Sequence, residues 1–419
     1  MPSGYAVAIR RASASKKAHA MSAFVDADLI RARFAAALSD MYRAEVPLYA
    51  DLLAIVGDVN AQAGGTDEAR IAIERHGAIR VGTAQELATM ARAFAVMGME
   101  PVGYYDLAPA GVPVHSTAFR PLTEAALAAN PFRVFCSLLR HDLIGDAALR
   151  DEVAAILARR QIFAPRALEL IDQAERDGGL AEGDADAFVA ALLETFRWHS
   201  EATVTAKTYQ RLAARHRLIA DIVAFKGPHI NHLTPRTLDI DAAQAAMRAR
   251  GIDAKDTIEG PPARRVPILL RQTSFKALNE AVRFADVGGR HTARFGEIEQ
   301  RGAALTPKGR ALYDQLLAQA RLGDTQAVFA AFPDDLPTLI REGLIYVRRG
   351  ADGLEPITYE DFLPVSAAGI FQSNLSGEAR RDYATASSQA AFERALGRAV
   401  IDPFALYAAM AIMPEPVTN

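Results

Sequence analysis

Short stretches of apolar alternation are scattered among longer stretches of helical periodicity, with no regular strand–helix beat. This constrains the fold of the 419-residue chain more than any other feature. Residues 73–82 alternate with period two and read as a strand, as do 101–107, 112–119, 132–140, 233–240, 266–275 and 292–300. Residues 26–56 carry Leu29, Ile30, Phe34, Leu38 and Met41 at helical spacing and predict one or two helices. Thr83 and Glu86 form a T-x-x-E capping box, so a helix is expected to start there and to stop near Gly98. Residues 149–225 are mostly helical, with a break near Gly178–Gly183. A helix over 242–250 ends at Gly251, and Thr306-Pro307 opens another with Thr as cap and Pro at the first helical position. The order predicts an α+β chain with a mixed or mainly antiparallel sheet, the helices of about 145–225 lying against it as an insertion. No G-x-G-x-x-G or P-loop is present, and no repeat stands out.

Half the residues are hydrophobic and 23% are charged, which is a globular composition with ample material for a large core. A net charge of -3 gives no electrostatic case for a nucleic-acid partner. No apolar run approaches the roughly 20 residues of a membrane-spanning helix, so no membrane partner is expected and a cytoplasmic location is. The single cysteine, Cys136, excludes a disulfide framework or a cysteine-rich zinc site within one chain. It stands in the apolar run Val134–Leu138 and reads as a small buried hydrophobe. Residues 1–20 carry Arg10, Arg11, Lys16 and Lys17 and no acid. They read as a leader outside the fold, with residues 21–419 forming one domain.

Three stretches combine residues that can carry chemistry. In His76-Gly77-Ala78-Ile79-Arg80, alternation puts His76 and Arg80 on one strand face, a metal ligand beside a group that binds carboxylates through two parallel hydrogen bonds. Gly227 to Pro235 holds an H-x-x-H pair, His229 and His232, in a loop that enters a strand. It could chelate one metal or form a turn with two solvent-facing histidines. Arg294 to Gly302 is a strand with Glu297 and Glu299 on the same face, where they repel unless a cation intervenes or one faces water. His115, His141 and His291 remain as weaker candidates. His199 and His216, in helical, charge-rich surroundings, read as surface residues. Two histidines and a carboxylate from separate strands make the facial set of non-haem iron(II) oxygenases. A His2Glu zinc enzyme is the chemical rival, although H-E-x-x-H is absent.

The strings E-R-H-G-A-I-R-V-G-T at 74–83, M-G-M-E-P-V-G-Y-Y-D-L at 97–107 and P-V-H-S-T-A-F-R-P at 113–121 resemble the 2-oxoadipate dioxygenase/decarboxylase family. So do N-H-L-T-P-R at 231–236, R-Q-T-S-F-K-A-L at 271–278, F-G-E-I-E-Q-R-G at 295–302 and F-L-P-V-S-A-A-G-I-F at 362–371. The resemblance covers nearly the whole chain from about Met21. It implies a fold related to the vicinal oxygen chelate enzymes and a metallo-oxygenase that turns 2-oxoadipate into 2-hydroxyglutarate and CO2 with O2, in lysine breakdown. It implies iron(II) held by His76, His232 and Glu297. The choice of Glu297 over Glu299 follows from Glu297-Ile298-Glu299-Gln300-Arg301, which is similar to the E-x-x-Q-R strand of 4-hydroxyphenylpyruvate dioxygenases, whose first Glu binds iron. It further implies that Arg80 clamps a substrate carboxylate, with His76, Val365 and Ser366 also lining the substrate pocket. The alternatives are a zinc- or other metal-dependent enzyme acting on a small 2-oxo dicarboxylic acid without O2, and a non-catalytic sensor of such acids.

Overall fold

The structure, a computed structural model, describes residues 24–64, 68–320, 324–350, 353–363 and 388–412. The expected leader, 1–20, and the pocket residues Val365 and Ser366 lie outside the described residues.

Alternation of apolar side chains produces strands β1 (Arg75–Val81), β2 (Glu100–Asp106), β3 (Val114–Arg120), β4 (Arg133–Leu139) and β5 (His232–Pro235). They form one mixed sheet in the order β2-β3-β4-β1-β5. β1 is parallel to β4 and antiparallel to β5, and the other pairs are antiparallel. β1 is therefore interior, paired on both edges, and its side chains are fixed to two buried faces. Ile79 and Val81 enter one core with Val134, Cys136 and Leu138 of β4. Ala78 enters another with Phe135, Leu139 and the helical residues Leu218, Ile219 and Ile222. Cys136 is fully buried, and burial pushes its thiol up.

β6 (Leu270–Ser274) and β9 (Glu297–Arg301) form an antiparallel pair. A bridge between Arg236 and Glu299 lays β9 alongside the end of β5. β7 (Asn279–Arg283) and β8 (Gly288–Thr292) make a hairpin that the sequence reading does not contain. Its strands are largely exposed and polar, so no apolar alternation marks them.

Helices Ala27–Glu45, Pro47–Ala63 and Ala84–Val96 cover the first core. Thr83 accepts from the Glu86 backbone and Glu86 reaches back to the cap, as the capping box requires, and Gly98 turns the chain at φ +67° just beyond the helix. The stretch expected to be helical resolves into Ala147–Leu157, Pro165–Asp177, Glu182–Leu193, Ala206–Arg215 and Arg217–Ala224, with the break at Gly178–Ala181. His216, read from sequence as a surface residue, is 7% exposed. Its ring accepts from the Leu218 backbone and caps helix Arg217–Ala224, which draws it inward. No helix among the described residues is long and apolar enough to cross a membrane.

Candidate metal centre

Strand register decides which side chains meet. Ala78 of β1 faces His232 of β5, and His76 faces Thr234. Directly opposed residues of an antiparallel pair share a face, so His76, Arg80, His232 and Thr234 all project from the same side of the sheet. β9 brings Glu297 against them. His76, His232 and Glu297 are buried, and one possible ligand atom from each lies within 4.8 Å of the others. The two imidazole rings are 5.3 Å apart, edge to face.

The hydrogen bonds around this cluster set which atoms face inward. His232 Nδ1 lies 2.9 Å from Thr234 Oγ1, and Thr234 in turn donates to Glu297 Oε1 at 3.1 Å. Thr234 therefore accepts from Nδ1–H, and the network assigns the lone pair of His232 to Nε2. His76 makes ion-pair contacts rather than aligned hydrogen bonds: its Nδ1 lies 2.8 Å from Glu299 Oε2, and its Nε2 lies 3.1 Å from Glu297 Oε1. Gln272 donates to the same Glu297 oxygen at 2.7 Å. Glu297 Oε2 is buried and has no hydrogen-bond partner among the described residues.

Glu299 has a different job, because Arg301 donates to both of its oxygens at 2.8 and 2.9 Å. Burial opposes its ionisation, but Arg301 and His76 hold it well below the usual carboxylate range. It is an anion kept charged to orient the His76 ring, the role carboxylates commonly take behind a metal-binding histidine.

Burial pushes His232 down to about 3, although Glu297 partly offsets it. Burial would raise Glu297, yet His232 and His76 bring it below its ordinary value. A neutral imidazole and an ionised carboxylate are the forms that bind a metal. A buried carboxylate oxygen without a donor, beside two histidines whose Nδ1 atoms are turned outward to Thr234 and Glu299, fits a divalent cation. The donor set is the nitrogen- and oxygen-rich facial type.

Arg80, four residues along the same face from His76, is buried beside the centre, and its charge lowers the pKa of His232. Its Nη1 is 2.6 Å from Asp221 Oδ2. The H-x-x-H pair is split: His232 joins the centre, while His229 turns away. His229 and His291 instead converge on Asp221 in a second buried cluster, at 3.3 and 2.9 Å from Oδ1. His115 and His141 belong to neither cluster: His115 contacts Tyr104 and Ser388, and His141 lies on Gly82 O at 2.7 Å. The sequence reading passed over Asp221. Its signal was a lone acid within Leu218–Phe225, an otherwise apolar run. A charge there is buried if the run is buried, and must find a partner.

A mixed α+β fold that closes two histidines and one carboxylate, from three strands, into a buried cluster with an arginine beside it defines a class: proteins with a facial site whose residues could hold a metal ion. A family model described as 2-oxoadipate dioxygenase/decarboxylase matches residues 34–374. The chain is 57% identical to the 2-oxoadipate dioxygenase/decarboxylase of Pseudomonas putida, over 92% of this chain and 95% of the relative. To the Escherichia coli protein of the same description it is 53% identical, over 92% and 97%. The hydroxyglutarate synthase of Pseudomonas putida, solved in complex with 2-oxoadipate, matches with a TM-score of 0.86 at 54% identity, over 93% of this chain and 97% of that one. The chain belongs to the 2-oxoadipate dioxygenase/decarboxylase family.

Proposed function

We propose that this enzyme is an iron(II)-dependent dioxygenase that converts 2-oxoadipate and O2 to 2-hydroxyglutarate and CO2, with His76, His232 and Glu297 as the metal ligands. The observation that carries the reading is the convergence of those three buried groups, with the second oxygen of Glu297 left without a donor among the described residues. Family membership supplies the reaction. Bound iron(II) would supply the redox chemistry with O2 that the side chains lack.

The chain's own residues supply geometry and charge. Thr234 and Glu299 fix the two imidazoles, and Gln272 and Thr234 hold one oxygen of Glu297. Arg80 binds the distal carboxylate of the substrate and so selects a dicarboxylate. The resemblance adds Val365 and Ser366 to the substrate pocket, although they lie outside the described residues. We read residues 21–419 as one metallo-oxygenase domain with 145–225 as a helical insertion. We place it in the cytoplasm, where a chain with one buried free thiol suits a reducing compartment.

The test is anaerobic reconstitution with Fe(II) followed by oxygen uptake on adding 2-oxoadipate, with mass spectrometry of the product. The expected result is one CO2 and one 2-hydroxyglutarate per O2, abolished in His76→Ala, His232→Ala and Glu297→Ala. Turnover without oxygen uptake, or activity supported by zinc alone, would overturn the iron dioxygenase reading.

A further inference from the structure

The centre uses Arg80 but leaves unexplained the buried cluster behind it. Asp221 sits on helix Arg217–Ala224, and every other residue from Leu218 to Ala224 is apolar and buried. A carboxylate in such a place costs free energy unless each oxygen is matched. Here each oxygen has its own partners. Oδ2 receives Arg80 Nη1 at 2.6 Å and, more distantly, Asn231 Nδ2 at 3.4 Å. Oδ1 meets His291 Nε2 at 2.9 Å and His229 Nε2 at 3.3 Å. Asn231 also contacts His229 Nε2 at 3.1 Å. The far side of His291 is held as well: Tyr209 Oη lies 2.9 Å from Nδ1. If the Tyr209 hydroxyl donates to Nδ1, Nε2 carries the proton and donates to Asp221. The ring of His291 is further boxed by Phe225, at 4.6 Å between centroids, and by Trp198 stacked at 6.0 Å. A chain of contacts thus runs from Tyr209 through His291 and Asp221 to the guanidinium of Arg80.

Three groups of this composition could hold a metal ion, but their partners argue for another role. One oxygen of the only carboxylate is taken by a guanidinium, and one ring is held on both nitrogens by Tyr209 and Asp221. A divalent cation would have to sit beside the positive charge of Arg80.

We propose that Asp221, fixed by His291 and Tyr209, is the positioning residue for Arg80, and that it thereby sets the preference for a 2-oxo acid with a second carboxylate. The inference rests on the reading of Arg80 as the substrate clamp. An arginine side chain has many rotamers and little to guide it in an apolar pocket. The Asp221 contact at Nη1 fixes where the side chain points, and a guanidinium carries five N–H donors in a planar fork, a geometry that suits a carboxylate. Asp221 also balances the buried charge when the pocket holds no substrate, so Arg80 does not need to leave it for water.

The test is anaerobic calorimetric titration of the iron-loaded enzyme with 2-oxoadipate and with 2-oxohexanoate, which has the same chain length but no distal carboxylate. Wild type, Asp221→Ala, Asp221→Asn and Arg80→Ala are compared. In Asp221→Ala the Kd for 2-oxoadipate should rise on the order of tenfold or more while that for 2-oxohexanoate stays within about threefold, so the ratio of the 2-oxohexanoate Kd to the 2-oxoadipate Kd falls. Asp221→Asn keeps the shape and an oxygen acceptor without the charge and should lie between. If both acids weaken equally, or neither changes, in the folded Asn variant, Asp221 does not position the clamp. An unchanged ratio in Arg80→Ala would instead show that Arg80 is not the clamp, and the inference would fall with that reading. A fall in Arg80→Ala but not in the Asp221 variants would exclude Asp221 alone.

Discussion

Glu297 and Glu299 stand two residues apart on one strand face, and their neighbours give them different work. Gln272 and Thr234 hold one oxygen of Glu297 and leave the other without a donor among the described residues, whereas Arg301 engages both oxygens of Glu299. The repulsion that their spacing creates is relieved by His76, which lies between them with one ring nitrogen near each. Glu299→Gln should therefore leave the three ligands in place but loosen the His76 ring. Iron(II) affinity is expected to fall about 10- to 100-fold, the usual effect of losing a partner behind a ligand. Competition against a chromophoric chelator reads this directly, and a wild-type affinity would remove Glu299 from the site. The residue types and the shared strand face were legible in the sequence. The resemblance singled out Glu297 as the ligand, but the work of Glu299 was not legible, because it depends on where His76 and Arg301 lie around it.

The element that begins immediately after β1 is the helix Ala84–Val96, and its capping box does more than end a strand. Glu86 accepts from the Gly82 backbone at 2.7 Å and from Arg160 Nε and Nη2 at 2.8 and 2.7 Å. The cap thus ties the exit of β1 to the chain after helix Ala147–Leu157. Thr83→Ala removes the side-chain acceptor for the Glu86 backbone and should cost about 0.5–2 kcal/mol of stability. The denaturant midpoint should drop while the iron content of the folded enzyme stays the same, since Thr83 touches no ligand. An unchanged midpoint would mean that Glu86 and Arg160 hold the turn without it. T-x-x-E was readable as a helix start from spacing alone. The Arg160 contact was not, since nothing local announces a partner 74 residues away. Elements without apolar alternation, such as the β7–β8 hairpin, left no signal of the kind that revealed β1.

Over the whole molecule, buried charges lace the strands together. Glu74, just before β1, accepts from Arg133 of β4 at 2.8 Å and from Arg236 after β5 at 3.0 Å. Arg133 also pairs with Glu360, which receives Arg70 at 2.5 Å, and Arg301 donates to the carbonyls of Tyr359 and Asp361 at 2.9 Å each. This network predicts acid sensitivity in two stages for the metal-free protein. Burial pushes His229 and His232 down to about 3, from 6.5 when exposed. Between those values the unfolded chain binds more of these protons than the folded one, so these two histidines cost stability as pH drops below about 6.5, by up to about 1.4 kcal/mol per pH unit each, while His76, which burial would lower but Glu299 and Glu297 hold above its ordinary value, offsets part of the loss. Glu74, Glu299, Glu360 and Asp221 are all depressed in the fold. Their contribution is full above the ordinary carboxylate range and is lost as pH falls below it. Urea unfolding at pH 7.5, 5.5 and 4.5 should show a steady decline. Equal midpoints at 7.5 and 5.5 would mean that His229 and His232 together do not outweigh His76, contrary to their burial in the neutral form.

The sequence by itself determined what is local or periodic. A two-residue period put His76 and Arg80 on one face of β1 and the two glutamates on one face of β9. It also marked the helix starts and the chemistry of the candidate ligands. The family resemblance gathered His76, His232 and Glu297 before any distance was known. Only the tertiary structure decided that His229 would leave its H-x-x-H partner for Asp221 and His291. A spacing of three makes neighbours on a helix, but this stretch is not helical, so the two rings reach different partners. Likewise only the packing of helix Arg217–Ala224 against β1 could match Asp221 to Arg80, 141 residues apart in the chain. Which charges meet across such separations is set by how whole elements stack, and a single stretch of sequence does not contain that information.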